Sequence, residues 1–351
     1  MRTEVKYSSK RLLMSLALCA CAVILLQNYN VSAGLSFAVD LFCVLTGLTV
    51  CFLCFLPAAV IKKRFGSDVL SLVSRRSKAE RIAVTIFFAV YSVYAALYFL
   101  IPYTDMFCKK YYPDASPCMI GLLLLVCCVY AAFKGANAIT RFGLFLFVLA
   151  MLTNILMFAG SVSSLDFDSS MWQLRGDVPS FLQNAVFFST PCFAGVIFSC
   201  LAGDTVNFKL RHPVIAIGLT GVKFALVLFF IAFAVGEYAQ RQEYQTFVLS
   251  RVAHFGSFTG VESFYMALCT MSVFMIISLL LCCVGKAAKK SESLPFVSCF
   301  AAAVFLLGLL AYNNNSVKEI FTAPLVFTVF SVTAAAILPC VYLIRERSRH
   351  A

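Results

Sequence analysis

The sequence predicts an all-α integral membrane protein in which about ten helices cross the bilayer. Hydrophobic residues make up 62% of the 351 residues and charged residues only 13%, whereas a soluble domain carries about 25% charged residues. A soluble core of this size could not bury that much apolar surface, so the surplus requires lipid as its solvent. The spacing of the apolar runs and the placement of Lys and Arg lead to the same fold class.

Ten apolar runs provide the predicted transmembrane helices, numbered 1 to 10 along the chain. A hydrocarbon core about 30 Å thick requires about 20 residues of helix. No soluble domain interrupts the runs, so residues 1–351 form one predicted transmembrane domain. The runs are roughly Leu12–Gln27, Leu35–Ile61, Ile82–Ile101, Cys118–Phe133, Ala138–Gly160, Phe181–Leu201, Pro213–Gly236, Val261–Val284, Leu294–Ala311 and Ile320–Ile344.

The basic residues indicate how these helices are oriented. With the N-terminus inside, the inner segments hold 21 Lys and Arg residues, the outer segments hold six, and Lys223 lies within helix 7. Cytoplasmic loops carry an excess of Lys and Arg, so we predict that both termini are cytoplasmic. The net charge of +12 is then mainly a topology signal, and no nucleic-acid partner is expected.

The N-terminal region permits a second interpretation. Arg11, the apolar run after it and the small residues Val31-Ser32-Ala33 resemble a signal peptide with its cleavage site. Cleavage would leave nine helices and place the new N-terminus outside. The chain would still be a multi-pass membrane protein, but the first of its two predicted groups of five helices would lack helix 1.

An amphipathic helix is predicted on the outer surface between helices 7 and 8, within residues 240–255. Charged residues alternate there with apolar ones, a pattern typical of helices that lie in the membrane interface. The apolar residues at near-helical spacing are Tyr244, Phe247, Val248, Val252 and Phe255.

The sequence contains no recognisable catalytic or metal-binding motif. Most of the 16 cysteines lie within apolar runs, no zinc-like Cys-x-x-Cys pair has flanking His, and the chain contains three His. A P-loop and a Ser/His/Asp arrangement are also missing, and the sixteen acidic residues lie in loops or near helix ends. We therefore expect no enzyme, cofactor or metal, and we interpret the cysteines as packing residues.

Ten helices divide into two groups of five, residues 8–160 and 179–344. An odd number per group makes the second group start from the opposite side of the membrane, so structural repeats would be inverted. Transporters built from inverted repeats bind ligands near the membrane midplane, where the first helix of each repeat is broken. We therefore expect breaks in helices 1 and 6.

The centre of helix 6 has the residues expected of such a break. Pro191 has no N–H and clashes with the preceding turn, so the carbonyl of Phe187 loses its helical partner. Ser189, Thr190 and Cys192 lie at the same depth and complete the predicted ligand-binding segment. The alternative is an ordinary proline kink in which the two hydroxyls satisfy the backbone.

Helix 1 is predicted to face this segment through Ala20, Cys21 and Ala22. A break there would expose backbone groups to the ligand, but the segment contains neither Gly nor Pro. Close helix packing by small residues is the alternative. Tyr94 on helix 3 and Thr270 on helix 8 lie at similar depth and are predicted to close the pocket.

Lys223 completes the predicted site, because it is the only charge near the middle of any predicted span. It lies about eleven residues into helix 7, or ~16 Å deep at 1.5 Å per residue, too deep for its stem to reach the interface. A lysine at this depth costs about 2.5–3.5 kcal/mol on translocon scales. We predict that it faces a polar cavity or a ligand carboxylate. Capping by backbone carbonyls is the alternative.

Three segments resemble the spore-germination permease family, whose members are B subunits of germinant receptors in the amino acid–polyamine–organocation superfamily. Tyr130–Arg141 has the Gly that ends helix 4 and the Arg that opens helix 5. Asn184–Gly195 has the Phe and Gly spacing of helix 6, and Phe258–Phe264 resembles the acidic, aromatic entry to helix 8. The likeness follows the same helix order over nearly the whole chain.

The chain also departs from the family pattern. Cys21 and Ala22 stand where helix 1 of the family has its glycine, and the proline that follows it is missing. Val196 stands where the family has an acidic residue after the Gly of helix 6, and Cys269 stands in place of the Trp of helix 8. The resemblance therefore does not identify the ligand.

The resemblance implies a ligand-sensing, permease-like subunit in the inner membrane of a spore. It would bind a small germinant, typically an amino acid, between helices 1, 3, 6 and 8, beside an A-type membrane subunit and a C-type lipoprotein. The alternatives are an amino acid transporter that acts alone, cation-coupled or facilitative, and a structural subunit with a degenerate pocket. The lack of midplane carboxylates weighs against coupled transport.

Overall fold

The structure, a computed structural model, describes residues 6–26, 37–167, 177–240, 242–254, 261–289 and 293–350. Within these ranges ten helices are long and apolar enough to cross a membrane. The prediction of an all-α, multi-pass membrane protein is therefore confirmed. Helices 1 to 10 are Ser9–Leu26, Phe37–Phe65, Lys78–Lys110, Pro117–Lys134, Ala136–Ser164, Val178–Asp204, Arg211–Val235, Val261–Ala287, Leu294–Asn313 and Pro324–Arg347.

Short elements connect some of these helices. Val69–Ser74 follows helix 2, and Asn315–Thr322 lies between helices 9 and 10. Helices 7 and 10 each contain one π-helical turn, at Ile231–Val235 and Thr333–Ile337. The predicted signal-peptide cleavage site, residues 31–33, lies outside the described residues, so that interpretation stays a prediction.

Helices 1, 6 and 8 form the centre of the bundle. In their most apolar 18-residue windows 83%, 94% and 78% of the residues are buried, against 28% in helices 4 and 9. Helix 1 packs against helices 5, 6, 7 and 8, and helix 6 packs against helices 1, 2, 8 and 10. Helices 4 and 9 lie at the periphery, where exposed side chains such as Leu123 and Leu306 face the surrounding lipid.

Two glycines allow close contacts between central helices. A Cβ added to Gly47 of helix 2 would lie 2.5 Å from the carbonyl oxygen of Phe188 in helix 6. A Cβ added to Gly143 of helix 5 would overlap the side chain of Ser15 in helix 1. Small residues let helix backbones approach closely in membranes, where dispersion contacts drive helix association. These two positions therefore fix how helices 2 and 5 pack against the centre.

Both described ends of the chain lie on one face of the bundle. Near the N-terminus, Tyr7–Ser8 forms a short parallel strand pair with Thr205–Val206, which follows helix 6. Near the C-terminus, Glu346 forms an ion pair of 2.8 Å with Arg76, which precedes helix 3. These contacts agree with an even number of crossings. That this face is cytoplasmic stays a prediction from the Lys and Arg distribution.

A partly buried ion-pair network strengthens the same face, which we call the basic face. It comprises the start of helix 1, the connections 2–3, 4–5, 6–7 and 8–9, and the end of helix 10. The ammonium of Lys286 at the end of helix 8 lies between the carboxylates of Asp68 and Asp204. Asp68 also caps the Val69–Ser74 helix by accepting from the backbone N–H of Ser71. The network thus joins helices 2, 6 and 8.

The segment between helices 7 and 8 corrects the prediction of an outer surface helix. Gln245–Val252 does form a helix, but it is tucked into the bundle, and Phe247 is only 1% exposed. The hydroxyl of Thr246 donates to the carbonyl of Ile24 at 2.9 Å. Carbonyls at the C-terminal end of a helix lack intrahelical donors. The segment therefore supplies a hydrogen-bond donor to one carbonyl at the end of helix 1. Phe255 lies outside the described residues.

Candidate functional site

The middle of helix 6 changes its hydrogen bonding without unwinding. Val178–Ser189 is α-helical, Thr190–Cys192 forms a 3₁₀ turn, and Phe193–Leu201 is α-helical again. The backbone stays in the right-handed helical region throughout, with φ −55° and ψ −30° at Thr190. We call Thr190–Cys192 the Pro191 turn. It lies where the sequence predicts a break, but the chain continues as a helix.

The backbone groups at the Pro191 turn are largely satisfied. The carbonyl of Phe187 accepts from the backbone N–H of Thr190 and from its hydroxyl, the latter at 2.7 Å. The hydroxyl of Ser189 donates to the carbonyl of Ala185 at 2.7 Å. In this structure helix 6 therefore matches the alternative of a proline kink satisfied by nearby hydroxyls. The expectation of a free Phe187 carbonyl needs correction, because the tighter turn brings new donors to it.

Helix 1 is an uninterrupted α-helix, Ser9–Leu26, so the expected break at its centre is not present. Ala20, Cys21 and Ala22 are each at most 5% exposed. No proline removes a backbone donor in this segment, and no glycine lowers the cost of an irregular backbone. Helix 1 therefore matches the alternative of close packing by small residues.

The structure does bring the predicted segments of helices 1 and 6 together. Ala20 and Pro191 line a common pocket, which Thr220 of helix 7 also borders. Its volume of about 20 Å³ exceeds the roughly 10–15 Å³ that one water requires. An amino acid would not fit, so this arrangement of helices 1, 2, 6 and 7 is closed. The remaining lining residues are Leu16, Ala17, Leu48, Cys51, Phe55, Ala194, Ala216 and Ile217.

Lys223 lies one turn from this pocket and is buried, with 4% of its surface exposed. Its Nζ has no hydrogen-bond partner among the described residues. The thiols of Cys21 and Cys269 lie near enough to interact electrostatically with the ammonium. The hydroxyl of Thr220 donates to the carbonyl of Ala216 at 3.0 Å. Backbone carbonyls of the described residues do not cap Lys223, so that alternative is not what the structure shows.

Tyr94 and Thr270 are not part of the pocket between helices 1 and 6. The hydroxyl of Tyr94 donates to the carbonyl of Ile320 at 3.0 Å, and its ring contacts aromatic residues of helix 10. Thr270 donates to the carbonyl of Met266 at 2.9 Å and shares a hydrogen bond with Tyr103. A similar depth in the membrane does not bring Tyr94 and Thr270 to this pocket, because their side chains point in other directions.

Cys192 belongs to a buried polar cluster that the sequence analysis did not find. Its thiol lies close to the side chains of Cys54 on helix 2 and Ser331 on helix 10. Ser331 also shares a hydrogen bond of 2.9 Å with the hydroxyl of Tyr91. Single polar residues in four separate apolar runs carry no spacing signal, so only the folded arrangement reveals this cluster.

Comparison with known proteins gives no further assignment. No model of a known protein family matches the chain, and no curated protein matches it. The resemblance to spore-germination permeases therefore stays a prediction. What the structure itself defines is a multi-pass α-helical membrane protein with a closed contact between helices 1 and 6. Beside this contact lies a buried lysine that has no hydrogen-bond partner in the described part of the chain.

Proposed function

We propose that this chain is the permease-like B subunit of a germinant receptor in the spore inner membrane, with its basic face in the cytoplasm. In this proposal it binds one small germinant, an amino acid, near the membrane midplane. The observation that carries the proposal is the ammonium of Lys223, which lies beside the contact between helix 1 and the Pro191 turn and has no hydrogen-bond partner within the described ranges. Its partners, an A-type membrane subunit and a C-type lipoprotein, come from the family resemblance.

The charge of Lys223 indicates the chemical class of the ligand. An ammonium removed from water without a partner is unfavourable, and a ligand carboxylate would pair with it. The carbonyl of Ser189 accepts from the thiol of Cys51 at 3.5 Å, and a thiol is a weak donor. That carbonyl can therefore exchange the thiol for a stronger donor, the ammonium of a ligand. An amino acid carries both a carboxylate and an ammonium.

Ligand entry requires helix 1 to move away from helix 6, because the pocket between them holds about one water. Short 3₁₀ stretches inside helices often mark hinges. The Pro191 turn is such a stretch, so the second half of helix 6 has a defined point about which to move. This opening is the step by which binding would be sensed.

The packing of the helices supports an arrangement of two inverted repeats. If helix n corresponds to helix n + 5, contacts should recur in corresponding pairs, and several of them do. Helix 1 packs against helices 5 and 7, and helix 6 packs against helices 10 and 2. Helix 4 packs against helix 8, as helix 9 packs against helix 3. Corresponding helices 1 and 6, 2 and 7, 3 and 8, and 4 and 9 also contact one another.

Spores that lack this chain provide the functional test. We expect them to lose germination in response to one amino acid, or a small group, while other nutrients still act. A gene copy with Lys223→Met should fail to restore the response, whereas Lys63→Met, at an exposed lysine of helix 2, should restore it. Normal germination without the chain would contradict the proposal. Accumulation of an amino acid by the purified chain in liposomes would indicate a transporter that acts alone.

A further inference from the structure

A large groove opens to the lipid at the corner between helices 4 and 5. Its volume is about 580 Å³, within the roughly 300–1,000 Å³ of small-molecule sites. Val126 and Tyr130 form the wall on helix 4 and are 61% and 63% exposed. Phe142 of helix 5 packs edge-on against Phe274 of helix 8, with ring centroids 6.0 Å apart, and both rings line the groove.

The corner itself is unusually tight. Helix 4 ends at Lys134 and helix 5 begins at Ala136, so Gly135 alone connects them. Gly135 has a φ of 87°, which a residue with a side chain rarely adopts. The groove between the two helices therefore has a fixed shape at its end on the basic face. This corner lies within the segment Tyr130–Arg141, which the proposed ligand site does not use.

One basic residue, Lys134, lines the groove at this end, and a second, Arg141, lies nearby on helix 5. Lys134 is exposed and has its Nζ 5.3 Å from the centre of the Tyr130 ring. Arg141 is exposed and follows Ala138 by three residues, so the two share one side of helix 5. The ion pairs found among the described residues include neither Lys134 nor Arg141. Among the described residues, an apolar groove thus has one lysine at its end and an arginine one turn beyond Ala138 of its helix 5 wall, and neither residue forms an ion pair.

We propose that the groove between helices 4 and 5 binds one anionic phospholipid. The headgroup phosphate pairs with Lys134 and Arg141, and an acyl chain lies against Tyr130, Phe142 and Phe274. Basic pockets between transmembrane helices on the cytoplasmic side suit anionic headgroups, and helix 4 is among the least buried helices. The bound lipid would brace helices 4 and 5 against helix 8. This inference does not depend on the proposed germinant site.

Lipid retention by the purified full-length chain tests the headgroup contact. Phosphatidylglycerol and phosphatidylcholine with identical acyl chains are added in detergent, and bound lipid is counted by native mass spectrometry. We expect preferential retention of phosphatidylglycerol, and Lys134→Gln should weaken it about fivefold, the equivalent of about 1 kcal/mol per basic residue. Lys63→Gln, at an exposed lysine on the same face, should retain phosphatidylglycerol as the unmodified chain does. Inorganic phosphate should not compete with the lipid.

Filling the groove tests the acyl-chain contact. Ala138→Phe, or Cys127→Phe from the opposite wall, should reduce retention of both lipids, because each exposed position projects into the groove. Ala302→Phe, at an exposed alanine of helix 9, is the matched control and should leave the retention of both lipids unchanged. Equal retention of the two lipids by the unmodified chain would overturn the proposal. Unchanged lipid retention in both groove variants, with loss of a co-purifying membrane subunit, would show that the groove binds protein.

Discussion

The hydroxyl of Thr190 donates a 2.7 Å hydrogen bond to the carbonyl of Phe187, the group that Pro191 deprives of its α-helical donor. Because the bond forms within one turn, helix 6 crosses the membrane without a free carbonyl at this point. The same bond holds the Pro191 turn in its 3₁₀ form next to helix 1. Its loss should therefore affect the stability of helix 6 and its ability to move.

Thr190→Val removes this hydroxyl at nearly constant shape. We expect a loss of about 1 kcal/mol in stability, the usual net value of one hydrogen bond, because the backbone N–H of Thr190 still serves the carbonyl. Ser199→Ala, which removes a similar local bond one half-helix away, should cost about the same but leave ligand sensitivity unchanged. Thermal unfolding in detergent measures the first effect and a germination assay the second. Equal ligand sensitivity in both variants would contradict a role for the Pro191 turn.

Pro191→Ala should have the opposite effect on stability. Alanine restores a backbone donor and removes the steric clash with the preceding turn, so helix 6 can become a regular α-helix. We expect a higher melting temperature and a weaker response to ligand, because a regular helix has no preferred point of movement. A stabilised variant with a normal response would show that the proline serves packing alone.

Lys223 is buried and Lys286 is partly buried, and their environments predict opposite results of substitution. Lys223 has no hydrogen-bond partner among the described residues. Lys223→Met should therefore leave the stability of the protein unchanged or increase it. Lys286 lies between two carboxylates, so Lys286→Met should destabilise the protein by about 1.5–3 kcal/mol, the value of a hydrogen bond to a charged group, because the buried carboxylate of Asp68 loses its cation. Thermal unfolding of both variants gives the comparison. Marked destabilisation by Lys223→Met would reveal a structural partner for this lysine.

Gly47→Ala should disturb the packing of helix 2 against helix 6. The added Cβ would lie 2.5 Å from the carbonyl oxygen of Phe188, and a backbone atom cannot easily move away. We expect a loss of about 1–3 kcal/mol, typical of overpacking. Gly218→Ala on helix 7 is the control, because its Cβ would meet nothing within 4 Å. That change should be neutral or slightly stabilising. Similar melting temperatures for the two variants would refute the close approach at Gly47.

Cysteine labelling can determine which face is cytoplasmic. In a chain without native cysteines, Lys78→Cys should react only after the membrane is permeabilised, and Ser163→Cys should react with an impermeant reagent from outside. Both positions are exposed and lie on opposite faces. The expectation follows from the excess of Lys and Arg on the basic face. The reverse labelling would invert the topology.

The sequence is sufficient to predict the transmembrane helices but not the directions in which their side chains point. Ten apolar runs specify ten helices because backbone groups in lipid have no other way to be satisfied. The position of Pro191 likewise indicates where helix 6 departs from regular α-helix, but the structure has a 3₁₀ turn there and not the predicted break. The depth of Tyr94 in the membrane does not show that its side chain faces helix 10, because packing against neighbouring helices sets the rotation of helix 3 about its own axis. The burial of Gln245–Val252 was missed for a related reason, because an amphipathic helix suits a membrane surface and a protein groove equally.

The central claim is that an amino acid carboxylate binds Lys223 beside the contact between helices 1 and 6. Thermal stabilisation of the purified chain across a panel of amino acids tests it most directly. We expect one amino acid, or a few related ones, to raise the melting temperature of the unmodified chain and to have no effect on Lys223→Met, with Lys63→Met behaving as the unmodified chain does. Stabilisation of Lys223→Met to the same extent, or of no variant by any amino acid, would contradict the claim.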